Sequence, residues 1–429
     1  MCRIFIGHGH NKYNNSMEHG GIVKYEKVER GLKLVHHHLP IQSTLDDIPI
    51  IDNNRVTILF NGELFDDNVD NDLTLIRDLA ELYTDIETFV NYIKDIDGFY
   101  SFIVVDKHEN SIYAFTDPLG KKQLYYKKDF GIASELRPFE NCKINNKVLA
   151  DINKWGYNYN DETVKEGVFR ILPNKIYEFD MCFELLDVGE PFYDFFDPIS
   201  IKDKTLYDLM DKAVSNRMRG HKRVSMFLSG GLDSSIIHHH VSKHCSIHTI
   251  CVDNAEDLDY ARVVDPYVDA IYLEHDPKAL EVMESPIDLG SLYPQYDLFN
   301  QAPTVVVLTG DGADEVFGGY KRMNDYDSQL SDVFTEIPFY HNPRLDRMST
   351  WFTKEVRSPF LSLDVVKFGL TLSYEDRINK KYLRDQYEGR IDDRILHRPK
   401  EALKIGSVRE ENQLKYRKGL IDEFTRNFK

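Results

Sequence analysis

Residues 223–240 read RVSMFLSGGLDSSIIHHH, and this stretch decides the fold of the second half of the chain. The apolar run at 223–228 predicts a buried strand, the Ser-Gly-Gly that follows predicts a tight turn, and a helix is predicted from there through His240. Two further apolar runs, at 248–252 and 304–309, predict strands that alternate with helices. Such alternation is typical of a parallel sheet flanked by helices, so we expect an α/β domain here.

The loop Ser229–Ser235 (SGGLDSS) has the composition of a phosphate-binding site. Small residues allow backbone N–H groups to close on phosphate oxygens, and the N-terminus of the following helix favours an anion. Asp233 adds a carboxylate suited to Mg²⁺, and a second glycine loop with acids, at 309–315 (TGDGADE), follows another apolar strand. The GxxxxGK[ST] pattern is absent, so this is not a Walker-type loop. One such loop is compatible with a tight turn that binds nothing, but the pair predicts a nucleotide and metal site.

The first 190 residues have a different pattern, with short β-rich runs punctuated by Asp, Asn and Gly. These runs are typical of antiparallel strands linked by hairpins, and Asn61-Gly62 is a hairpin signal. The change of pattern places a boundary near residue 195, which divides the chain into domains 2–195 and 196–429. The strands predicted in the first domain cover 57–60, 99–106, 111–115, 122–127 and 130–133, and its predicted helices cover 74–82 and 86–93.

The composition excludes several classes of partner. The 429 residues carry 53 Lys and Arg against 71 Asp and Glu, a formal net charge of −18, which argues against a protein that coats nucleic acid or an anionic membrane. Five scattered cysteines fit neither a disulfide framework nor a zinc site and indicate a reducing compartment. Neither the apolar core of a signal peptide nor an apolar run of membrane-spanning length is found, so a soluble cytoplasmic protein is expected.

Cys2 directly follows the initiator Met, and removal of that Met would place a thiol beside a free α-amine. An α-amine titrates near about 7.7–8.0, so its neutral fraction can accept the thiol proton at neutral pH. Asn61-Gly62 offers a side-chain amide and a backbone N–H of the kind that hold an oxyanion. The alternative interpretation is an incidental cysteine at the second position, and only further motifs weigh against it.

Four segments of the first domain resemble the glutaminase domain of the glutamine-hydrolysing asparagine synthetase family: MCRIF (1–5), NGELF (61–65), DPLGKKQLYY (117–126) and ASEL (133–136). In the second domain, SGGLDSS resembles the signature of the ATP pyrophosphatases, and GDGADEVFGGY (310–320) resembles the matching segment of the same synthetases. The resemblance spans nearly the whole chain. It implies an α+β N-terminal-nucleophile hydrolase domain, with stacked antiparallel sheets between helices, followed by an α/β parallel-sheet ATP pyrophosphatase domain.

By this resemblance the first domain hydrolyses glutamine. Cys2 would attack the side-chain amide of glutamine, and Asn61 and Gly62 would form the oxyanion hole. Glu63 and Asp72 would hold the α-amino group of the substrate.

The chain departs from the family pattern in this domain. Arg3 replaces the glycine that usually follows the nucleophile, and Gly-Gly-Ile-Val at 20–23 replaces an Arg-Gly-Pro-Asp run. His38, in HHHLPIQ (36–42), stands where the family has the arginine that clamps the α-carboxylate of glutamine. Because a neutral imidazole lacks the planar charged fork of a guanidinium, we expect either weak glutamine binding or a charge supplied by Arg3.

The resemblance implies that the second domain adenylates the side-chain carboxylate of aspartate with ATP, and that ammonia then displaces AMP to give asparagine. It assigns Mg²⁺ to Asp233 and Asp314, places Asp311 and Glu355 near the acceptor, and brings Lys400 to the phosphates. The expected substrates are glutamine, aspartate and ATP; no nucleic-acid or membrane partner is expected, and a homodimer is compatible with the resemblance. The residues implied at ATP are Leu228, Ser229, Gly230, Gly231, Leu232, Asp233, Ser234, Ser235, Val252, Thr309 and Gly310.

Three alternatives stay open at this point. The first is an enzyme of the same architecture that acts on a different carboxylate, as the related β-lactam synthetases do, although an intact Cys2 with Asn61-Gly62 argues for ammonia as the nucleophile. The second is an ammonia-dependent synthetase with an impaired glutaminase. The third is a metabolite sensor without catalysis, against which the carboxylates Asp233, Asp311 and Asp314 argue, because a sensor does not need the Mg²⁺ ligands of ATP cleavage.

Two histidine runs, His36–His38 and His238–His240, invite a metal-site interpretation. Three adjacent residues cannot all face one ion on a strand or on a helix, because neighbouring side chains point in different directions. Ordinary packing and surface exposure are therefore expected for both runs.

Overall fold

The computed structural model describes residues 2–9, 13, 15–41, 47–67, 69, 71–253, 255–320, 330–399 and 410–428, without the side chains of 255 and 410–416. Within these residues the first half of the chain forms two six-stranded antiparallel sheets, and the second half forms one five-stranded parallel sheet. No helix in these ranges combines the length and the apolar character needed to cross a membrane.

The two antiparallel sheets stack on each other, and helices cover both outer faces. Ile4 and Leu59 share one buried apolar cluster between the sheets. The helices Asp72–Glu81 and Ile86–Ile93 pack on the outer face of one sheet, and Asn146–Trp155 packs on the outer face of the other. The first sheet has the strand order β10-β8-β9-β1-β3-β2 and the second β12-β11-β7-β6-β5-β4. These strands are β1 (Arg3–His8), β2 (Val23–Glu29), β3 (Leu32–His38), β4 (Ile50–Asp52), β5 (Val56–Leu64), β6 (Gly98–Asp106), β7 (Ser111–Thr116), β8 (Tyr125–Lys127), β9 (Gly131–Ala133), β10 (Phe169–Arg170), β11 (Ile176–Phe179) and β12 (Leu185–Val188).

The parallel sheet has the strand order β15-β14-β13-β16-β17. Its strands are β13 (Arg223–Phe227), β14 (Ser246–Val252), β15 (Asp269–Ile271), β16 (Val306–Leu308) and β17 (Glu355–Arg357). The chain winds outward from β13 to β15 and then returns to β16 on the other side of β13. Open α/β sheets bind their ligands at such a switch in direction, beyond the carboxyl ends of the strands.

Helices surround this sheet and extend beyond it. The described helices of the second half span Leu206–Met218, Leu232–Val241, Ala255–Val264, Lys278–Val282, Leu292–Gln301, Ala313–Phe317, Asn342–Trp351, Leu363–Thr371, Tyr374–Arg377, Lys381–Tyr387, Asp393–Leu396 and Glu410–Asn427, with a π-helical segment at Asp332–His341.

The sequence-based prediction of antiparallel sheets followed by a parallel sheet is confirmed, and two local predictions are corrected. Asn61-Gly62 does not form a hairpin, because both residues lie inside β5 and pair with Ser101 and Tyr100 of β6. The strand predicted at 122–127 begins only at Tyr125, since the carboxylate of Asp117 accepts hydrogen bonds from the backbone N–H groups of the preceding turn. The domain division at residue 195 stays a prediction.

Buried ion pairs join the two halves of the chain. Arg3 is fully buried and forms ion pairs with Glu135 and with Asp346, which also accepts a hydrogen bond from Lys122 at 3.2 Å. Arg217 of the second half forms a second such pair with Asp97 of the first half, at 2.7 Å. Because unpaired buried charges are costly, these pairs fix how the two halves meet.

Candidate active sites

Cys2 lies at the start of β1, beside the end of β3. Its Sγ is 3.6 Å from Nδ1 of His38 and accepts a hydrogen bond from the backbone N–H of Leu39 at 3.3 Å. Burial raises the pKa of the Cys2 thiol to about 11, and the charges of Glu63 and Glu355 act in the same direction. The thiol is therefore protonated at neutral pH and needs a base before it can act as a nucleophile.

Antiparallel pairing places His38 beside the thiol. In the ladder of β1 and β3, Arg3 lies opposite His37 and Ile4 lies opposite His36, which brings the next pair, Cys2 and His38, to the end of the ladder. Burial lowers the pKa of His38 to about 4, so its imidazole is neutral at pH 7. A neutral ring offers no charge to the α-carboxylate of a substrate.

Arg3 does not replace that missing charge. Adjacent residues of a strand point to opposite faces, so Arg3 points away from the Cys2 side of β1. Its guanidinium is held by Glu135 and Asp346, as described above. The expectation that Arg3 serves glutamine binding is thus corrected, because its charge is already neutralised by two buried carboxylates.

The predicted oxyanion residues lie inside β5, the strand that packs against β1. Asn61 is fully buried, and neither its Oδ1 nor its Nδ2 has a hydrogen-bond partner among the described residues. Gly62 has a φ of +144°, and a Cβ there would lie 1.9 Å from the carbonyl oxygen of Phe99, so only glycine fits. A buried amide without a partner is costly, and a bound ligand would offset that cost.

Three buried carboxylates gather beside Cys2. Burial raises the pKa of Glu63 well above its ordinary value, and the charges of Glu355 and Asp72 add to this effect. Burial and the charge of Glu355 raise the pKa of Asp72 to about 7. Arg357 lies on the same strand as Glu355 and donates from Nε to its carboxylate at 2.7 Å. The structure therefore groups Glu355, from the second half of the chain, with the residues predicted to bind glutamine.

The two glycine loops meet at the switch point of the parallel sheet. The loop Ser229–Ser235 follows β13, and the loop at 309–315 follows its neighbour β16. A Cβ on Gly310 would lie 3.0 Å from the Cβ of Asp233, which shows how closely the loops approach each other. The other residues predicted at ATP, Leu228 and Val252, lie at the carboxyl ends of β13 and β14.

The ammonium group of Lys380 contacts both predicted metal ligands, Asp233 and Asp314. Nζ of Lys380 is 2.6 and 2.7 Å from the carboxylate oxygens of Asp233 and 2.5 Å from Oδ1 of Asp314. The two carboxylates therefore converge on one point and have the hard oxygen atoms that Mg²⁺ prefers. Gly319 makes this approach possible, since a Cβ there would lie 2.0 Å from Asp314 and 2.3 Å from Lys380.

Lys380 and Arg344 are functional candidates that sequence reasoning missed. The only signal for Lys380 is a pair of adjacent lysines, which does not differ from an ordinary charged surface. Arg344 donates to Asp311 at 2.5 Å and to Asp288, and it holds Asp311 beyond the end of β16. Arg344 belongs to none of the motifs found in the sequence.

The basic segment 398–400 is described only in part. Arg398 donates to the carbonyl of Ser229 at 2.8 Å and to Asp257 at 2.5 Å, so this segment reaches the first glycine loop. Lys400, the predicted phosphate contact, lies outside the described residues.

The second histidine run packs as expected. Nδ1 of His240 lies 2.9 Å from Asp211 and its Nε2 lies 2.7 Å from the hydroxyl of Tyr387. Nε2 of His239 lies 3.1 Å from the hydroxyl of Tyr207. These contacts anchor the helix Leu232–Val241 that follows the first glycine loop.

Comparison with known families agrees with the order of the two sites. The profile of the asparagine synthase family matches residues 205–345 and 329–423, which together make up more than half of the chain. A glutamine amidotransferase domain profile matches residues 35–141. The chain therefore belongs to the asparagine synthase family.

Individual relatives share low sequence identity with this chain but align with most of its length. A probable asparagine synthetase [glutamine-hydrolyzing] of Acanthamoeba polyphaga mimivirus is 25% identical over 412 residues, which cover 82% of this chain and 73% of that protein. A putative asparagine synthetase [glutamine-hydrolyzing] of Methanocaldococcus jannaschii is 24% identical over 461 residues, which cover 89% of this chain and 83% of that protein. An asparagine synthetase [glutamine-hydrolyzing] of Arabidopsis thaliana is 22% identical over 427 residues, which cover 85% of this chain and 66% of that protein.

Proposed function

We propose that this chain is a glutamine-dependent asparagine synthetase. It would hydrolyse glutamine at Cys2 and use the released ammonia to amidate aspartate that ATP has activated. The observation that carries the proposal is the presence of two sites in one chain. One is a thiol beside buried carboxylates, and the other is a pair of glycine loops whose acids Asp233 and Asp314 both contact Lys380. We place the activity in a reducing cytoplasm, a proposal supported by five free cysteines.

The first site is proposed to be a glutaminase in an N-terminal-nucleophile hydrolase domain. After the predicted removal of Met1, the α-amine of Cys2 would take the thiol proton, and the thiolate would attack the amide carbon of glutamine. The Asn61 amide and the Gly62 N–H would stabilise the oxyanion, ammonia would leave, and water would hydrolyse the thioester to glutamate. The substrate ammonium would favour the ionised forms of Glu63 and Asp72, whose pKa values burial raises.

The second site is proposed to bind ATP at the two glycine loops. Mg²⁺ held by Asp233 and Asp314 would offset the charge that develops on the leaving pyrophosphate. The loop N–H groups would orient the phosphates for attack by the aspartate side chain on the α-phosphorus, and Lys380 would neutralise phosphate oxygens. Asp311 is proposed to assist at the acceptor and Lys400 at the phosphates. The acceptor role predicted for Glu355 is not kept, because Glu355 lies at the amino end of β17 and interacts with Glu63 and Asp72.

The product spectrum tests this proposal. The full-length protein is incubated with Mg²⁺-ATP, glutamine and, one at a time, a panel of carboxylic acids that includes aspartate, glutamate and N-substituted amino acids. AMP and pyrophosphate are expected in equal amounts only with aspartate, and mass spectrometry should detect asparagine. AMP formation with another acid would support the adenylation reaction but contradict aspartate as the acceptor. If no acid gave AMP, the synthetase assignment would be wrong.

One observation favours a second candidate, a synthetase that uses free ammonia and hydrolyses glutamine poorly. His38 is neutral at pH 7 and Arg3 is committed to two buried carboxylates, so neither residue supplies the charge that the resemblance assigns to an arginine. A glutamine α-carboxylate would then bind without a charged partner, at a loss of about 1.5–3 kcal/mol relative to an ionic hydrogen bond.

The variant His38→Arg distinguishes these candidates. We expect its KM for glutamine to fall by about tenfold or more, because a guanidinium can form two charge-assisted hydrogen bonds to the α-carboxylate. The rate with ammonia should not change, since ammonia carries no carboxylate. Steady-state kinetics with each nitrogen source measure both quantities. The control His38→Gln supplies no charge and should not lower the KM for glutamine; a lower KM in that variant would contradict the electrostatic explanation.

A further inference from the structure

The first histidine run places two of its three rings on the Cys2 side of the sheet. His36 and His38 are two residues apart on β3 and share a face, with ring centroids 5.5 Å apart. His37 points to the opposite face, where its Nε2 lies 2.7 Å from the hydroxyl of Tyr13. The Sγ of Cys2 and one ring nitrogen from each of His36 and His38 all lie within 4.8 Å of one another.

The spacing of these atoms matches a tetrahedral metal site. Bonds of about 2.3 Å from zinc to sulfur and about 2.0–2.1 Å from zinc to nitrogen place the two ligand atoms about 3.5 Å apart at a tetrahedral angle. The distance between Sγ of Cys2 and Nδ1 of His38 is 3.6 Å. One thiolate and two imidazoles are a donor set typical of Zn²⁺, with a fourth position left for water or substrate.

The surroundings of the three groups also suit a metal ion. Ligating side chains are normally oriented by outer hydrogen bonds, and a ligating imidazole usually donates its other N–H to a carbonyl or a carboxylate. The backbone N–H of Leu39 donates to Sγ of Cys2 at 3.3 Å. Both ring nitrogens of His36 are buried without a hydrogen-bond partner among the described residues, a cost that a bound ion would offset. His36 and His38 are 1% and 3% exposed, so their rings are held by packing.

We propose that Cys2, His36 and His38 form a binding site for Zn²⁺ that masks the nucleophile. A zinc-bound thiolate cannot attack the amide of glutamine, so Zn²⁺ would stop glutamine hydrolysis and leave the ammonia-dependent reaction at the remote ATP loops unaffected. This inhibitory consequence rests on the function proposed above, whereas the binding of zinc does not.

The binding experiment uses the full chain, Zn²⁺ alone and a chromophoric chelator as competitor. The variant His36→Asn should weaken zinc binding at this site by at least about 100-fold, because losing even an outer hydrogen-bond partner costs about 10–100-fold. The matched control is His37→Asn, which is equally buried and also loses its contact with Tyr13, yet faces away from Cys2. Its zinc affinity should equal that of the unaltered protein. Equal affinities in both variants would overturn the site.

A second measurement needs no variant at all. Zn²⁺ should protect Cys2 from alkylation by iodoacetamide at least about tenfold, as judged by mass spectrometry of its peptide, because the metal occupies the thiolate. The free thiols of Cys142 and Cys182 provide an internal control and should react at the same rate with and without zinc. Unchanged alkylation of Cys2 would overturn the proposal. Protection of Cys2 in a protein that hydrolyses no glutamine would keep the metal site and refute the proposed glutaminase instead.

Discussion

Replacing Asp233 with alanine is expected to lower AMP formation by at least about a thousandfold, with glutamine and with ammonia alike. The carboxylates of Asp233 and Asp314 both contact Nζ of Lys380, and a Mg²⁺ ion bound by them in its place would contribute several kcal/mol to the transition state of pyrophosphate release. A loss of about 4 kcal/mol corresponds to about three orders of magnitude in rate. The measurement is AMP release in the presence of aspartate and Mg²⁺-ATP, with each nitrogen source in turn.

The control for this variant is Asp269→Asn, which changes a carboxylate on β15, an edge strand of the same sheet. Asp269 lies on β15, is largely exposed and pairs only with His248 among the described residues, so AMP formation should be unchanged. Thermal unfolding of Asp233→Ala should be compared as well, because Lys380 loses one of its two partners and its burial then becomes more costly. A folded Asp233→Ala protein with its AMP formation intact would refute the phosphate-loop assignment.

The fold was predictable where local pattern and tertiary environment agree. The helix predicted at 86–93 is found with the same bounds, and a strand predicted at 99–106 is found as β6. The hairpin predicted at Asn61-Gly62 failed because a turn signal was outweighed by the ladder of β5 and β6, in which Gly62 is needed for a close backbone approach. A dipeptide carries no information on the strand that will lie beside it.

The candidate sites were predictable as motifs but not as assemblies. The two glycine loops could be found because each is continuous in sequence, and the order of β13 and β16 in the sheet brings them together. Lys380 could not be found, since it reaches Asp233 across 147 residues of sequence. The grouping of Glu355 with Cys2 likewise depends on how the two halves of the chain meet, which no local pattern encodes.

The histidine run at 36–38 shows a further limit of pattern reasoning. The argument that three adjacent residues cannot share one ion is sound, but it considers only the run itself. Strand pairing adds Cys2 from β1 to the two histidines that share a face, and the resulting group has the spacing of a metal site. A ligand set made by two strands is thus invisible to a search for ligands along one segment.

Replacing Cys2 with alanine is expected to abolish glutamine-dependent turnover while leaving AMP formation with ammonia within about twofold of the unaltered protein. Removal of a nucleophile typically costs several orders of magnitude, here at least about 10⁴-fold in glutamate formation. The described contacts of the Cys2 thiol are with His38 and with the backbone of Leu39, which belong to the first half of the chain, so the second site should be intact. Glutamate and AMP are measured in parallel, with glutamine or ammonia as the nitrogen source.

The control is Cys142→Ala, which removes another partly buried free thiol whose contacts are with Lys127 and the backbone of Glu140. Both activities should survive in that variant. Their loss would show that the protein is sensitive to the removal of any thiol. If Cys2→Ala lost both activities while Cys142→Ala kept them, the two sites would not be separable. If Cys2→Ala kept glutamine-dependent turnover, the nucleophile would have to be another residue. Loss of the glutamine reaction alone is the outcome that two sites, one built on β1 and one on β13 and β16, require.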